Sequence, residues 1–149
     1  MSDDVEAIKQ LKARYFRMMD TKDWGGLAAV FTDDVEVDVS SEGGGITRGA
    51  SEFISFLRTV IGNAITVHHG HMPEIDLTSP TTARGIWALE DQLWWPEGGP
   101  FTHMHGFGHY HETDEKTATG WRIKSLTLTR LHRLLEPPPA DPARSGADR

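Results

Sequence analysis

Cysteine is absent from this chain of 149 residues, which excludes disulfides, thiolate metal sites and cysteine nucleophiles. Long apolar runs are absent as well, because none approaches the roughly 20 residues that cross a bilayer. The acidic, amphipathic start, MSDDVEAIKQL, is unlike a signal or transit peptide, so we expect a cytoplasmic protein. Positive charge is scarce, and the net charge of −7 argues against nucleic acid or an anionic membrane as a partner.

The remaining composition predicts one globular domain followed by a tail. Hydrophobic residues make up 38% and charged residues 25% of the chain, as in ordinary globular domains. We place the domain at residues 1–136 and predict that the Pro-rich stretch 137–149, PPPADPARSGADR, is disordered, because it has almost no large apolar residue. The sequence contains no phosphate-binding loop or dinucleotide fingerprint, so we expect no cofactor.

Helical periodicity is confined to the first part of the chain. A first helix is predicted from apolar residues at helical spacing, namely Val5, Ile8, Leu11, Tyr15 and Met18. The stretches DTKDWGGLAAVF and GASEFISFLRTVIG predict a short second helix after a turn and then a third helix. Between them, the alternating DVEVDVS predicts a strand.

From Ala64 onward the pattern indicates long strands only, one of them interrupted near Gly70. Helices followed by antiparallel strands favour an α+β fold with the helices packed on one face of a sheet. Glycines at positions 85, 106 and 108 permit tight curvature. We therefore expect a cone-shaped, curved antiparallel sheet wrapped around the N-terminal helices, with a small-molecule pocket at its open mouth.

Histidines are concentrated in two of the predicted strands. In ITVHHGHMP, the neighbours His68 and His69 must point to opposite faces, so only one of them can look into the cone. In the later strand a set of alternate residues shares one face: His103, His105, Phe107, His109 and His111. Such spacing could hold zinc or iron, but a catalytic metal generally needs three protein ligands. We therefore expect no metal.

Pocket-lining positions are predicted from the same alternation of faces. We expect His105 and Phe107 to line the pocket and Trp87 to form part of its wall. For the aromatic residues, plain core packing is the alternative. His109 and His111 are expected at the sheet edge or at a subunit contact.

Two aspartates occupy positions where a carboxylate needs a partner. Asp20 lies near the C-terminal end of the first helix, whose dipole disfavours a negative charge by about 0.3–1 kcal/mol. An imidazolium partner would remove this conflict, and an Asx-turn is the alternative. Asp91 stands among leucines on its predicted strand face, where burial requires a partner such as Arg130 or His68. An outward orientation is the alternative for Asp91.

The order of elements, together with MDTKDWGGLAAVF and TVHHG, resembles the SnoaL-like branch of the NTF2-like superfamily over roughly residues 5–135. Similar members are scytalone dehydratase, bile acid 7α-dehydratase and hexachlorocyclohexane dehydrochlorinase, which pair an aspartate on the first helix with a strand histidine. The matching residues here are Asp20 and His68. The bile acid enzyme adds further matches at Tyr15, Asp91 and Arg130.

One departure from the family pattern bears on the substrate. The two tyrosines that hold water in scytalone dehydratase correspond to Met19 and Val39 here. This difference argues against scytalone itself. The resemblance implies a small alicyclic, polyketide-like or steroid-like hydroxy-carbonyl substrate, and a homodimer or homotrimer formed through the sheet.

The resemblance also implies a reaction, a dehydratase-type elimination by a cofactor-independent lyase. Asp20 would orient His68 as the general base. Tyr15, with His105 or a protonated Asp91, would donate hydrogen bonds to the substrate carbonyl oxygen. Two alternatives stay open: a cofactor-free isomerase or cyclase with the same pair of residues, and a non-catalytic protein that binds small molecules.

Overall fold

The computed structural model describes residues 2–96 and 98–139. Along these residues the chain forms helices, strands and one short 3-10 turn, Ser40–Glu42. In chain order the helices and strands are α1 (Ser2–Asp20), α2 (Trp24–Ala28), β1 (Phe31–Asp38), β2 (Ile46–Arg48), α3 (Ala50–Ile61), β3 (Ile65–Ser79), β4 (Thr82–Trp94), β5 (His103–Thr117) and β6 (Gly120–Glu136).

The strands form one sheet in the order β2-β1-β6-β5-β4-β3. β3 to β6 pair in sequence as long antiparallel neighbours, as predicted. β1, however, pairs with β6 in parallel, so the sheet is mixed, with antiparallel pairing elsewhere. Alternation of apolar and polar residues indicates which face of a strand is buried, but it carries no information about the direction of the neighbouring strand.

The core lies between the helices and the inner face of the sheet. α1 packs on β3 and contributes Ile8, Leu11 and Tyr15, none of them more than 2% exposed. Alternate residues of β4 and β5 are buried against these side chains. This arrangement confirms the predicted α+β cone.

Two glycines mark positions where the long strands depart from regular pairing. The β3–β4 register shifts directly after Gly70, and the β5–β6 register shifts directly before Gly108. A Cβ on Gly70 would lie 2.5 Å from the ring of Phe16, and one on Gly108 would lie 2.0 Å from the carbonyl oxygen of Thr129. Both positions therefore need glycine, because any side chain would collide with the Phe16 ring or with the Thr129 carbonyl group.

One end of the core contains a buried ion cluster. Lys12 on α1 lies 2.9 Å from Glu112 on β5, and their side chains are 1% and 0% exposed. The Lys12 ammonium also lies 4.0 and 3.9 Å from the ring centroids of Tyr15 and Tyr110. Burial, with the charge and hydrogen bond of Glu112, raises the pKa of the adjacent Asp114 to about 10. This environment therefore favours the protonated form of Asp114.

The C-terminal boundary of the domain stays a prediction. β6 ends at Glu136, and residues 137–139 have no regular secondary structure. The remainder of the predicted disordered tail, residues 140–149, lies outside the described residues. Within the described part of the chain, no helix is both long and apolar enough to cross a membrane.

Candidate active site

Asp20 and His68 form a close pair at the end of α1. One carboxylate oxygen of Asp20, Oδ1, lies 2.6 Å from His68 Nδ1, and the other accepts the backbone N–H of His68 at 2.8 Å. Thr66 Oγ1 donates a second hydrogen bond to Oδ1 at 2.9 Å. An ionised Asp20 requires the proton on Nδ1, so Nε2 is the ring nitrogen that is free to act as a base.

The inward direction of His68 is fixed by strand alternation. Thr66 and His68 are buried on one face of β3, whereas His69 is exposed on the other and His71 is exposed further along. The His68 side chain is 6% exposed, and its ring stacks on Phe16 with centroids 6.3 Å apart. The ring is therefore held from both the carboxylate side and the helix side.

A second carboxylate faces Nε2 of His68. Asp91 stands opposite His68 in the β3–β4 pairing, and its Oδ2 lies 3.8 Å from Nε2. Arg130 on β6 donates to both Asp91 oxygens, at 2.7 and 2.9 Å, and also to Glu42. Although burial alone would lower it, the hydrogen bonds and charges of Asp91 and Glu42 raise the pKa of Arg130 above its ordinary value. Asp91 thus has the buried cation that its position requires.

This ion pair changes the role that was expected for Asp91. An arginine can only donate hydrogen bonds, so both oxygens of Asp91 accept, as they do in a carboxylate. A protonated Asp91 that donates to a substrate carbonyl does not fit this geometry. The negative charge of Asp91 lies instead where it would stabilise a protonated His68.

Two buried phenols lie beside the pair. Tyr15 on α1 is 2% exposed and Tyr110 on β5 is 3% exposed. Their rings meet edge to face with centroids 5.6 Å apart. Burial raises the pKa of both phenols above the ordinary value, so each is a neutral hydrogen-bond donor. Tyr15 was expected at this site, whereas Tyr110 was missed.

These groups line one cavity of about 620 Å³. Its polar lining includes Tyr15, Glu42, His68, Asp91, Tyr110, Arg130 and Arg133. Apolar residues make up most of the remaining wall, among them Met19, Phe53, Leu57, Leu93, Met104 and Leu128. A largely apolar cavity with a few convergent polar groups is typical of a site for a small organic ligand.

His105 and Phe107 lie outside this cavity, so the prediction that they line it was wrong. The buried residues of β5 are the even-numbered ones, and the odd-numbered ones face the other side of the sheet. There His105 bonds Glu90 at 2.9 Å, and its ring centroid lies 4.6 Å from that of Phe107. The two residues do share a face, but it is the outer one.

Trp87 faces inward but does not line the cavity. It is 3% exposed and lies two inward positions away from Asp91 on β4, with its ring 5.7 Å from the Lys12 ammonium. The predicted place of Trp87 in the pocket wall is therefore wrong. Its ring packs in the core beside the buried ion cluster instead.

The histidines of β5 do not converge on one point. His103, His105, His109 and His111 follow one another along the outer face of the strand. In residues 2–96 and 98–139, no group of three or more His, Cys, Asp or Glu side chains is arranged to hold a metal ion.

Comparison with known proteins agrees with this architecture. The model of the SnoaL-like domain family matches residues 1–127. The probable cyclase FGR4 of Gibberella zeae is 26% identical over 134 residues, which span 84% of this chain and 89% of that protein.

Solved structures share the fold over most of the chain. A proposed scytalone dehydratase from Novosphingobium aromaticivorans has a TM-score of 0.79 at 22% identity, covering 95% of this chain and 99% of the other. A LinA-type hexachlorocyclohexane dehydrochlorinase from Novosphingobium barchaimii has a TM-score of 0.75 at 20% identity, covering 91% and 90%. At these identities the likeness establishes the fold and leaves the reaction to the site itself.

Proposed function

The chain belongs to the SnoaL-like domain family, and we propose that it is a cofactor-independent enzyme that eliminates water from a small hydroxy-carbonyl compound. The observation that carries this proposal is the 2.6 Å contact between Asp20 Oδ1 and His68 Nδ1, on a histidine that lines the cavity. An imidazole held by a carboxylate at one nitrogen and open at the other is the orienter–base arrangement of catalytic triads.

In the first step, His68 Nε2 takes the proton from the carbon next to the substrate carbonyl. The electron pair of the broken C–H bond forms a carbon–carbon double bond, and the carbonyl electron pair moves onto oxygen to give an enolate. Tyr15 or Tyr110 donates a hydrogen bond to this oxygen, since both are buried neutral phenols. Asp20 and Asp91 stabilise the imidazolium that forms.

In the second step, the enolate expels the hydroxyl on the neighbouring carbon. The carbonyl re-forms, the carbon–oxygen bond breaks, and the imidazolium gives its proton to the departing hydroxide. The products are water and an unsaturated carbonyl compound, and His68 returns to its neutral form. Proton and electron pair are both accounted for, so the reaction needs no redox partner.

The cavity supports an alicyclic, polyketide-like or steroid-like substrate. Its volume of about 620 Å³ and mostly apolar wall suit a compact, largely hydrophobic molecule with one oxygenated edge. Arg130, which was expected to bind substrate, gives most of its donors to Asp91 and Glu42. Its part in the proposal is therefore to hold Asp91 in place.

The names of similar proteins support elimination and also a second candidate. A dehydrochlorinase and a proposed dehydratase share the fold, and both names describe loss of a small molecule across a carbon–carbon bond. The relative from Gibberella zeae is named as a cyclase. Cyclisation or isomerisation would use the same base on the same acidic carbon, without net loss of water.

The test uses a panel of alicyclic and polycyclic β-hydroxy-ketones with the purified protein in heavy water. Elimination predicts loss of water by mass spectrometry, and an isomerase or cyclase predicts deuterium uptake or rearrangement without that loss. His68→Ala and Asp20→Ala should abolish most turnover. His69→Ala is the matched control, because this histidine is exposed on the opposite face of the same strand. Full turnover by His68→Ala, or binding without any reaction, would overturn the enzymatic proposal.

Location and assembly are part of the same proposal. We expect a cytoplasmic protein that forms a homodimer or homotrimer through the outer face of the sheet, with neither nucleic acid nor membrane as a partner. Trp94 and Leu134 on that face are 38% and 52% exposed. Light scattering behind a sizing column measures the assembly directly, and a monomer at all concentrations would contradict it.

A further inference from the structure

The turn after α1 places a lysine where glycine is usual. The N–H of Lys22 donates to the carbonyl of Met19 at 3.2 Å, and the N–H of Asp23 donates to that of Met18 at 2.9 Å. This pair of bonds is a Schellman motif with Lys22 at the left-handed position that glycine commonly occupies. Lys22 has φ 61° and is the one non-glycine residue with positive φ in the described part of the chain.

The side chain of Lys22 reaches the candidate active site. Its Nζ donates to Thr66 Oγ1 at 3.1 Å, and the Thr66 hydroxyl donates in turn to Asp20 Oδ1 at 2.9 Å. This is the same oxygen that lies 2.6 Å from His68 Nδ1. An ammonium can only donate, so the direction of the chain from Lys22 through Thr66 to Asp20 is fixed.

We propose that Lys22 and Thr66 are positioning residues that limit the basicity of His68, so that the ring rests in the neutral, base-competent form. This inference rests on the proposed function, since it concerns the same base. Donors that compete for Oδ1 leave less negative charge for the Nδ1 proton, and the positive charge of Lys22 disfavours a second positive charge on the ring. A backbone conformation that is strained for lysine is the kind of local cost found at functional sites.

The charged groups around His68 come from four elements. Asp20 ends α1, Lys22 lies in the following turn, Asp91 faces Nε2 from β4, and Arg130 pairs with Asp91 from β6. Asp20 and Asp91 favour the protonated ring, and Lys22 and Arg130 oppose it. Removal of the positive charge of Lys22 therefore leaves an excess of negative charge around His68, which favours the imidazolium.

The test follows the ring of His68 by ¹⁵N NMR as pH is varied in the free protein, with His68→Ala to assign the signals. Lys22→Met should move the midpoint of His68 protonation to higher pH by roughly 0.5–1 pH unit, as expected for one charge a few ångströms away. Thr66→Val should move it in the same direction, because Asp20 loses a hydrogen bond that competes with the Nδ1 proton. The double variant should move it by less than the sum of the two single shifts, because part of the effect of Lys22 runs through Thr66. Lys9→Met, at an exposed lysine on α1, should leave it unchanged.

Lys22→Gly distinguishes an effect on the basicity of His68 from an effect on the stability of the fold. Glycine relieves the left-handed backbone, so this variant should have a higher melting temperature than Lys22→Met while showing the same higher midpoint. With a substrate in hand, the acid limb of the rate profile should move in the same direction. An unmoved midpoint in folded Lys22→Met, Lys22→Gly and Thr66→Val would overturn the inference. Because the NMR titration needs no turnover, that failure is distinct from a failure of the proposed reaction.

Discussion

Replacement of Arg130 by methionine should destabilise the protein far more than the same change at Arg133. Asp91 is 3% exposed, and both of its oxygens accept hydrogen bonds from Arg130, at 2.7 and 2.9 Å. Methionine keeps much of the apolar length of arginine but removes its charge and all its donors. The variant would therefore bury a carboxylate that has lost its cation.

The size of the effect follows from that burial. Removal of one partner of a buried ion pair costs about 3–5 kcal/mol, because the remaining charge is uncompensated. His68 Nε2 lies 3.8 Å from Asp91 and can carry a proton, which offsets part of the loss and favours the lower end, about 3 kcal/mol. That is a large fraction of the roughly 5–15 kcal/mol by which a domain of this kind is stable.

Urea unfolding followed by circular dichroism measures this loss. Arg133 is the matched control, because it contacts the same Glu42 but its side chain is 31% exposed; Arg133→Met should cost about 0–1 kcal/mol. Asp91→Asn combined with Arg130→Met should recover part of the stability, since no buried charge is then left alone. A cost for Arg130→Met no larger than that for Arg133→Met, at an unchanged denaturant slope, would refute the buried ion pair.

Three further predictions concern other parts of the molecule. Asp20→Asn should lower turnover by about 10²–10⁴-fold. Both oxygens of Asp20 accept hydrogen bonds, so the amide must either lose the bond from the His68 backbone N–H or turn the His68 ring to the wrong tautomer. Wild-type kinetics would contradict this prediction. Because the pKa of Asp114 is raised from 3.8 to about 10, the native state retains a proton that the unfolded chain releases, and stability is lost as pH rises through this window. Asp114→Asn should remove that dependence, so the melting temperatures of the wild type and the variant should diverge between about pH 5 and pH 9. Parallel curves of melting temperature against pH would count against a protonated Asp114. Gly108→Ala should prevent stable folding, since its Cβ would lie 2.0 Å from the Thr129 carbonyl oxygen, whereas Gly120→Ala, with open space but a φ of 116°, should cost about 1–2 kcal/mol by urea unfolding.

The pair at the centre of the site was predicted from local rules together with the family resemblance. Asp20 ends a helix whose dipole opposes its charge, and this conflict pointed to a partner. His68 and His69 cannot share a strand face, so only one of them can face inward, and the resemblance to the SnoaL-like branch assigned that place to His68. The helices and long strands could also be predicted from sequence, since their periodicity extends over many residues.

The wrong face of β5 has a specific physical cause. Its outer side carries the rings of His103, His105 and Phe107, while its inner side includes two glycines, and alternation alone does not tell which of the two sides faces the core. A Cβ on Gly106 would lie 2.4 Å from Arg130 Nη1 and 2.6 Å from Asp91 Oδ1. The space above that glycine is filled by an ion pair from two other strands. No property of β5 alone encodes this, and Tyr110 was missed for the same reason.

The alternation of residues along a strand also does not predict how deep in the cone a side chain lies. Trp87 and Asp91 share the inner face of β4, yet one packs beside the buried Lys12 and the other lines the cavity. Which of the two residues reaches the cavity depends on how far α1 extends into the cone and on how much of the cone its side chains fill. Glu42 lies in a 3-10 turn, where no periodic pattern marks a residue as inward.

The charges around the cavity fit the proposed chemistry as a set. Asp20, Asp91 and Glu42 are matched by Lys22, Arg130 and Arg133 through direct or relayed contacts. With His68 neutral, the site as a whole carries no net charge at rest. Transfer of a proton from carbon to His68 creates a positive ring and a negative enolate together, so the total is unchanged while both charges lie within a preorganised polar wall. A site balanced in this way stabilises charge separation inside an uncharged substrate complex, which is the step that elimination, isomerisation and cyclisation have in common.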